Sequence, residues 1–232
     1  MSKLLVCLAP VLLLAAPEQA SEETTRYLRL SEKAPAAECT FTIRRAADGW
    51  DMRSVTGRGD VQLTVTARYD AKDQLRDAEA TLAKGDTKKT CRVEVSNGKA
   101  KVKRAGQDAQ EFEVPAGVIV TSAPDWTDTF LLCRRHDRTK AGKQETAGLW
   151  IHPEQPAQRL TFSVEKQGTD RIDHAGEKLE LDRVTIRIRG NTPYTGWTDA
   201  KGRMVKLMQT GTPLELVLEG FEKAVGGLKL PK

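Results

Sequence analysis

The 232-residue sequence has few aromatic residues, few cysteines and no large excess of either charge. Aromatic residues make up 5% of the chain and there are 4 cysteines. The 37 basic and 32 acidic side chains leave a net charge of +5, which excludes a strongly acidic protein and is too small for a dedicated nucleic-acid binder. With 39% hydrophobic and 30% charged residues, the chain is too polar for a multi-span membrane protein but has enough apolar residues for one core.

The cysteines and histidines lack the spacing of a metal or catalytic site. No C-x-x-C pair is present, and the three histidines are too widely separated for a known ligand motif. We therefore expect no metal, no cofactor and no enzymatic activity. Cys39 and Cys91 both fall on the inward side of predicted strands, where they form either a disulfide or two packed thiols.

The one long apolar run lies at the start of the chain. Residues 4–16 carry no charge, follow Lys3 and precede small residues, as in a secretory signal peptide, and they are too few for a bilayer span of about 20 residues. We predict a signal peptide at 1–20, a single β-rich domain at 21–225 and a frayed tail at 226–232. The protein is accordingly expected in the periplasm, in the envelope or outside the cell, with no transmembrane span after the leader is removed.

Apolar and polar residues alternate along most of the remaining chain. Val61, Leu63 and Val65, for example, are separated by polar residues, and similar runs recur up to Leu218. Strands with one apolar and one polar face are typical of antiparallel sheets. Asn97-Gly98 is a two-residue hairpin signal between two such strands.

Two predicted turns share one pattern. Residues 70–75 and 199–204 both read D-A-K-[DG]-[QR]-[LM], and each segment lies close after an aromatic residue, Tyr69 or Trp197. The match indicates either an internal duplication or the ordinary preference of hairpin turns for Asp and Gly.

One helix is predicted, from Asp125 as N-cap to about Arg138. Trp126, Phe130 and Cys133 share one of its faces. Because strand twist accumulates across a wide sheet, we predict a mainly β fold: a broad curled antiparallel sheet, or half-barrel, wrapped on one central helix.

Such a half-barrel leaves an apolar concavity wherever the helix does not fill it. We expect an apolar or lipid-like ligand there, and the predicted wall consists of Phe41, Trp126, Phe130, Phe162 and Trp197. The alternative is an envelope module with a fully packed core that binds other proteins through its exposed strands and loops. The basic stripe Lys99, Lys101 and Lys103 has no interleaved aromatic residues, so we predict a solvated face or a protected edge strand and no specific nucleic-acid binding.

The best-defined layout runs from Ala123 to Gln209. It contains the helix that begins at Asp125, the run Leu160–Gly190 and the turn Trp197-Thr198-Asp199, which leads into a hydrophobic strand. In this layout the chain resembles a group of bacterial exported β-rich proteins of unknown function. More distantly it is similar to the lipoprotein-carrier half-barrels of the bacterial envelope, which hold acyl chains in an apolar cavity. The resemblance implies the half-barrel fold and says less about activity.

Overall fold

The computed structural model describes residues 21–30, 38–123, 126–188 and 193–230. The predicted signal peptide, residues 1–20, lies outside these ranges. Within them the chain forms fifteen strands and one α-helix. The strands are β1 Ser21–Leu30, β2 Glu38–Ala46, β3 Gly49–Arg58, β4 Val61–Asp70, β5 Leu75–Lys84, β6 Thr87–Ser96, β7 Lys99–Arg104, β8 Gln110–Glu113, β9 Ile119–Thr121, β10 Lys143–Trp150, β11 Gln158–His174, β12 Glu177–Ile188, β13 Tyr194–Thr198, β14 Met204–Gln209 and β15 Glu215–Leu218, and the helix is α1 Thr127–Arg135.

All fifteen strands belong to one sheet in the order β8-β7-β6-β5-β4-β3-β2-β1-β15-β14-β13-β12-β11-β10-β9. Neighbours are antiparallel except β9 and β10, which are parallel. The two outermost strands are β8 and β9, and residues 114–118 link them directly. The six residue steps from Glu113 to Ile119 span at most about 22 Å, so the two ends of the sheet must lie close together. The sheet is therefore curled but unclosed, as predicted.

The helix packs against the concave face of this sheet. The ring of Phe130 stacks on that of Tyr27 with centroids 4.2 Å apart and lies 5.3 Å from that of Phe41. The helix is shorter than predicted at its C-terminal end, because His136 has an extended backbone with ψ 118°. Its N-cap position is occupied by Trp126, without a side-chain cap hydrogen bond, and the predicted N-cap Asp125 lies outside the described residues.

A second apolar cluster covers the opposite face of the sheet. Trp197, Lys206 and Val217 are cross-strand neighbours on β13, β14 and β15, and the C-terminal segment packs over them. Leu228 is buried and its carbonyl accepts a hydrogen bond from Lys206 Nζ. The prediction of a frayed tail from residue 226 is therefore wrong for the described part up to residue 230, because this segment closes the second cluster.

The two turns with a shared sequence pattern have the same structure. Asp70 Oδ1 accepts hydrogen bonds from the backbone N–H groups of residues 72 and 74, at 2.8 and 3.0 Å. Asp199 Oδ1 accepts from those of residues 201 and 203, both at 2.9 Å. The fourth turn residue has a positive φ in each case, +60° at Asp73 and +73° at Gly202. The pattern thus encodes one specific turn in both halves of the chain.

The alternatives left open for the cysteines and the basic stripe are also decided. Cys39, Cys91 and Cys133 are buried, and no disulfide joins any two of these three described cysteines. The stripe is a solvated face and not an edge, since β7 is paired on both sides. Two of its lysines form ion pairs, Lys99 with Glu113 and Lys103 with Glu94.

Candidate functional site

The predicted wall residues lie in different parts of the molecule. Phe41, Phe130 and Phe162 are each at most 1% exposed and belong to the packed interior. Trp126 is partly buried and meets Tyr194 edge-on at 6.0 Å. Trp197 is fully buried, but in the second cluster, so its assignment to the concave wall is wrong. The helix and its aromatic neighbours fill the middle of the barrel, and none of these five side chains lines either of the two cavities described below.

An open cleft remains at one end of the barrel, beside the C-terminal end of α1. Its volume is about 580 Å³. We call it the rim cleft, and it is lined by Ile43, Arg45, Trp50, Asp73, Pro115, Ala116, Gly117, Leu131, Arg134, Arg135, Glu145, Thr146 and Ala147. The rim cleft differs from the predicted concavity, because none of the five predicted wall residues lines it and its lining mixes apolar and charged side chains.

One wall of the rim cleft is a row of cross-strand neighbours. Arg45 on β2 is opposite Trp50 on β3, and Trp50 is opposite Tyr69 on β4. Directly opposite residues project from the same face of a sheet. Tyr69 is buried in the interior core, so Arg45 and Trp50 also belong to the concave face, at its outer end.

The indole of Trp50 is held on two sides. Its ring stacks on Tyr69 with centroids 4.1 Å apart and an interplanar angle of 8°. Its Nε1–H donates a 2.6 Å hydrogen bond to Asp73 Oδ1. Because Tyr69 covers one face of the ring, the second face is turned toward β2 and Arg45. Trp50 is thus a fixed aromatic platform at the mouth of the barrel.

Asp73 makes this contact from the fourth position of its turn, where both copies of the pattern have a positive φ. Its φ of +60° lies in the left-handed region, which costs a residue with a β-carbon about 1–2 kcal/mol. The equivalent position of the second turn is Gly202, which adopts the region without that cost. Asp73 thus holds Trp50 from a turn position that glycine would occupy without this cost.

Two arginines at the end of α1 also line the rim cleft. Arg134 donates from both terminal nitrogens to Glu23, at 3.0 and 2.7 Å, and this hydrogen bonding lowers the pKa of the Glu23 carboxyl. Arg135 Nη1 donates a 2.6 Å hydrogen bond to the carbonyl of Gly117. Both guanidinium groups are held in place by these bonds.

The position of Arg135 leaves the platform free. Its Cζ lies 5.3 Å from the Trp50 centroid and 5.2 Å from the Tyr69 centroid. Since the two centroids are 4.1 Å apart, an atom equidistant from both lies beside the stack and not over an outer ring face. Arg135 therefore borders the platform and does not cover the second face of Trp50.

A smaller cavity of about 310 Å³ adjoins the rim cleft and shares Arg45, Trp50 and Asp73 with it. The edge of the Trp50 platform thus borders two connected spaces. No group of three or more His, Cys, Asp or Glu side chains in the described ranges is arranged to hold a metal ion. Among the same residues no helix is long and apolar enough to cross a membrane.

Sequence reasoning missed this site for an identifiable reason. Arg45, Trp50, Asp73 and Arg135 lie on separate elements, and only the register of β2, β3 and β4 with the placement of α1 brings them together. One local signal was present, since the shared turn pattern has Asp in the first copy where the second has Gly.

Comparison with known proteins supports the fold. No family model matches the sequence, and no curated protein matches it significantly. A solved β-barrel-like protein of a domain of unknown function (DUF1849) from Brucella abortus has a similar structure, with a TM-score of 0.52 at 10% identity, over 88% of this chain and 96% of that one. A DUF1089 family protein from Pseudomonas aeruginosa gives a TM-score of 0.45 at 14% identity, over 90% and 97% of the two chains. The first of these agrees with the resemblance noted above at the level of a β-rich, barrel-like fold.

Proposed function

We propose that the chain is a non-enzymatic, extracytoplasmic binding protein that holds a small ligand with an apolar, lipid-like body in the rim cleft. The observation that carries the proposal is the Trp50 platform, which is fixed by Tyr69 and Asp73 and is only partly buried where it lines the cleft. A side chain that is already ordered loses little entropy when a ligand packs on it.

The size and lining of the cleft fit this role. Its volume of about 580 Å³ is within the range of small-molecule sites, about 300–1,000 Å³. Ile43 and Leu131, both buried, form the part of the lining nearest the core. An apolar ligand body resting on Trp50 would extend the packed interior toward this end of the barrel.

Native mass spectrometry of the protein purified from its own envelope fraction tests the proposal. We expect a non-covalent adduct of constant mass on the wild-type chain and its loss in Trp50→Ala. Trp150→Ala is the matched control, because Trp150 stacks on His152 away from the cleft, and this variant should keep the adduct. A wild-type chain without any adduct, or an adduct that survives Trp50→Ala, would contradict the proposal.

A second candidate follows from the packed middle of the barrel. Tyr27, Phe41 and Phe130 form a continuous aromatic cluster there, as expected for an envelope module that binds other proteins through its surface. In that case the same experiment gives a bare wild-type chain, and cross-linking in intact cells yields a defined heterologous complex.

A further inference from the structure

We infer that the ligand of the rim cleft carries a carboxylate, which pairs with Arg45 while the apolar body lies on Trp50. This inference rests on the proposed function and adds the chemical class of the ligand. It follows from the distribution of charge around the cleft and from the position of Arg45 beside the platform.

The acidic side chains of the cleft are already engaged. Asp73 Oδ1 accepts the indole N–H of Trp50, and Asp73 Oδ2 lies 3.8 Å from Arg135 Nη2. Glu145 Oε1 lies 2.7 Å from Lys143 Nζ. Neither carboxylate is therefore free to neutralise a further cation in the cleft.

The basic side chains are unequally engaged. Arg134 is neutralised by Glu23 at 2.7 Å, and Arg135 is bound to the Gly117 carbonyl with Asp73 nearby. Arg45 is exposed and forms no ion pair with any residue in the described part of the chain. The cleft thus retains the uncompensated charge of one guanidinium group.

Arg45 is placed to act together with the platform. It is the direct cross-strand neighbour of Trp50, on the side that Tyr69 does not cover. It lines both the rim cleft and the adjoining cavity. A planar guanidinium group binds a carboxylate through two parallel hydrogen bonds, so an anionic head group there leaves the attached apolar body against the indole.

The test compares ligands of equal length that differ in charge. Binding of octanoate, octanol and octylammonium to residues 21–232 is measured by titration, with backbone amide NMR shifts to locate the site. We expect octanoate to bind at least tenfold more tightly than octanol and octylammonium to bind more weakly still. Arg45→Gln should reduce the octanoate affinity to that of octanol. 4-Phenylbutanoate in the same titration separates an acyl chain from an aromatic body with the same head group.

Arg53→Gln is the matched control. Arg53 is an exposed arginine on β3, three residues from Trp50 and therefore on the opposite face of the sheet, so the same change in charge there should leave octanoate binding unaltered. If octanol binds as tightly as octanoate and Trp50→Ala weakens both, the proposed function stands and the carboxylate inference fails. If no probe shifts the amides of cleft residues, both fail. If Arg45→Gln and Arg53→Gln reduced the octanoate affinity equally, the effect would be one of overall charge, and Arg45 would not be the residue that pairs with the carboxylate.

Discussion

The ring of Phe162 lies directly over Gly148. A β-carbon at Gly148 would be 2.0 Å from Phe162 Cε2 and 2.6 Å from Cζ. In the antiparallel pair β10–β11, Gly148 is opposite Leu160, and Phe162 is its diagonal neighbour on the same face. Glycine at this position is thus a packing requirement of the fully buried Phe162.

Gly148→Ala should destabilise the protein for this reason. Forcing an extra methyl group into a packed core costs about 1–3 kcal/mol, and urea unfolding followed by far-UV circular dichroism measures the change. Gly57→Ala is the control, because Gly57 also lies in a strand but its nearest atom is the Val61 carbonyl oxygen at 3.9 Å. We expect a change within about 0.5 kcal/mol for that variant. Equal effects of the two substitutions would refute the steric explanation.

Much of the fold could be predicted because the strands follow local rules. The alternation in β4, for example, is preserved in its burial, with Leu63, Val65 and Ala67 buried between more exposed residues. The turns at Asp70 and Asp199 were recognisable because their hydrogen bonds are made within five residues. Local patterns therefore identified the sheet, the helix and the hairpins.

The misplaced residues depend on non-local packing. Every residue of β13 is buried, since the C-terminal segment covers the outer face as the core covers the inner one. An alternating pattern of apolar and polar residues cannot show on which face of the sheet Trp197 lies when both faces are buried. The rim cleft was missed because nothing local to α1 determines which end of the barrel the helix leaves open.

Asp182 should make the protein sensitive to acid. The side chain is 2% exposed, with Arg138 Nε 2.5 Å from Oδ2 and Lys166 Nζ 2.7 Å from Oδ1. Burial alone would raise the pKa of Asp182, but the interactions with Lys166 and Arg138 outweigh burial and lower the pKa below its usual value. A depressed folded-state pKa stabilises the native state above the unfolded pKa of about 3.9, and this stabilisation is lost as the pH falls through the folded pKa.

We therefore expect Asp182→Asn to lower the free energy of unfolding by about 1–3 kcal/mol at pH 7. Between pH 5 and pH 2 the stability of this variant should fall less steeply than that of the wild type, because protonation of Asp182 no longer contributes to the fall. Urea midpoints across this pH range measure both effects. Asp77→Asn is the control, since the Asp77–Arg68 pair is largely exposed and should contribute at most about 1 kcal/mol. If the stability of Asp182→Asn depended on pH as that of the wild type does, the acid sensitivity would not come from Asp182.

Lys206 should anchor the C-terminal segment. Its Nζ donates to the carbonyls of Val225 and Leu228, at 3.1 and 3.0 Å, and lies 2.7 Å from Glu215 Oε1, although the side chain is only 2% exposed. Lys206→Met preserves the apolar stem but leaves these three acceptors without their cation. Because Glu215 is partly exposed and can regain water, we expect a loss of about 2–4 kcal/mol, somewhat below that of a fully buried pair.

Hydrogen exchange locates this effect. The amides of Val225 and Leu228 donate to backbone carbonyls within the segment and should exchange faster in Lys206→Met. Lys201→Met, in an exposed turn, should leave both amides as they are in the wild type. Unchanged exchange at Val225 and Leu228 in Lys206→Met would exclude the anchoring role.

The three cysteines of residues 21–232 should react slowly while the protein is folded. Burial raises the pKa of Cys91 to about 11 and that of Cys133 to about 12. Since the thiolate is the nucleophile, only about 10⁻³ or less of either group is reactive at pH 8, and burial hinders access further. Titration with Ellman's reagent should give little early release from the native protein and three equivalents after guanidinium denaturation without reductant. One equivalent after denaturation would instead show that two of the three cysteines are oxidised in the purified protein. A fast first equivalent from the native state would place at least one thiol at the surface, against its burial beneath the sheet.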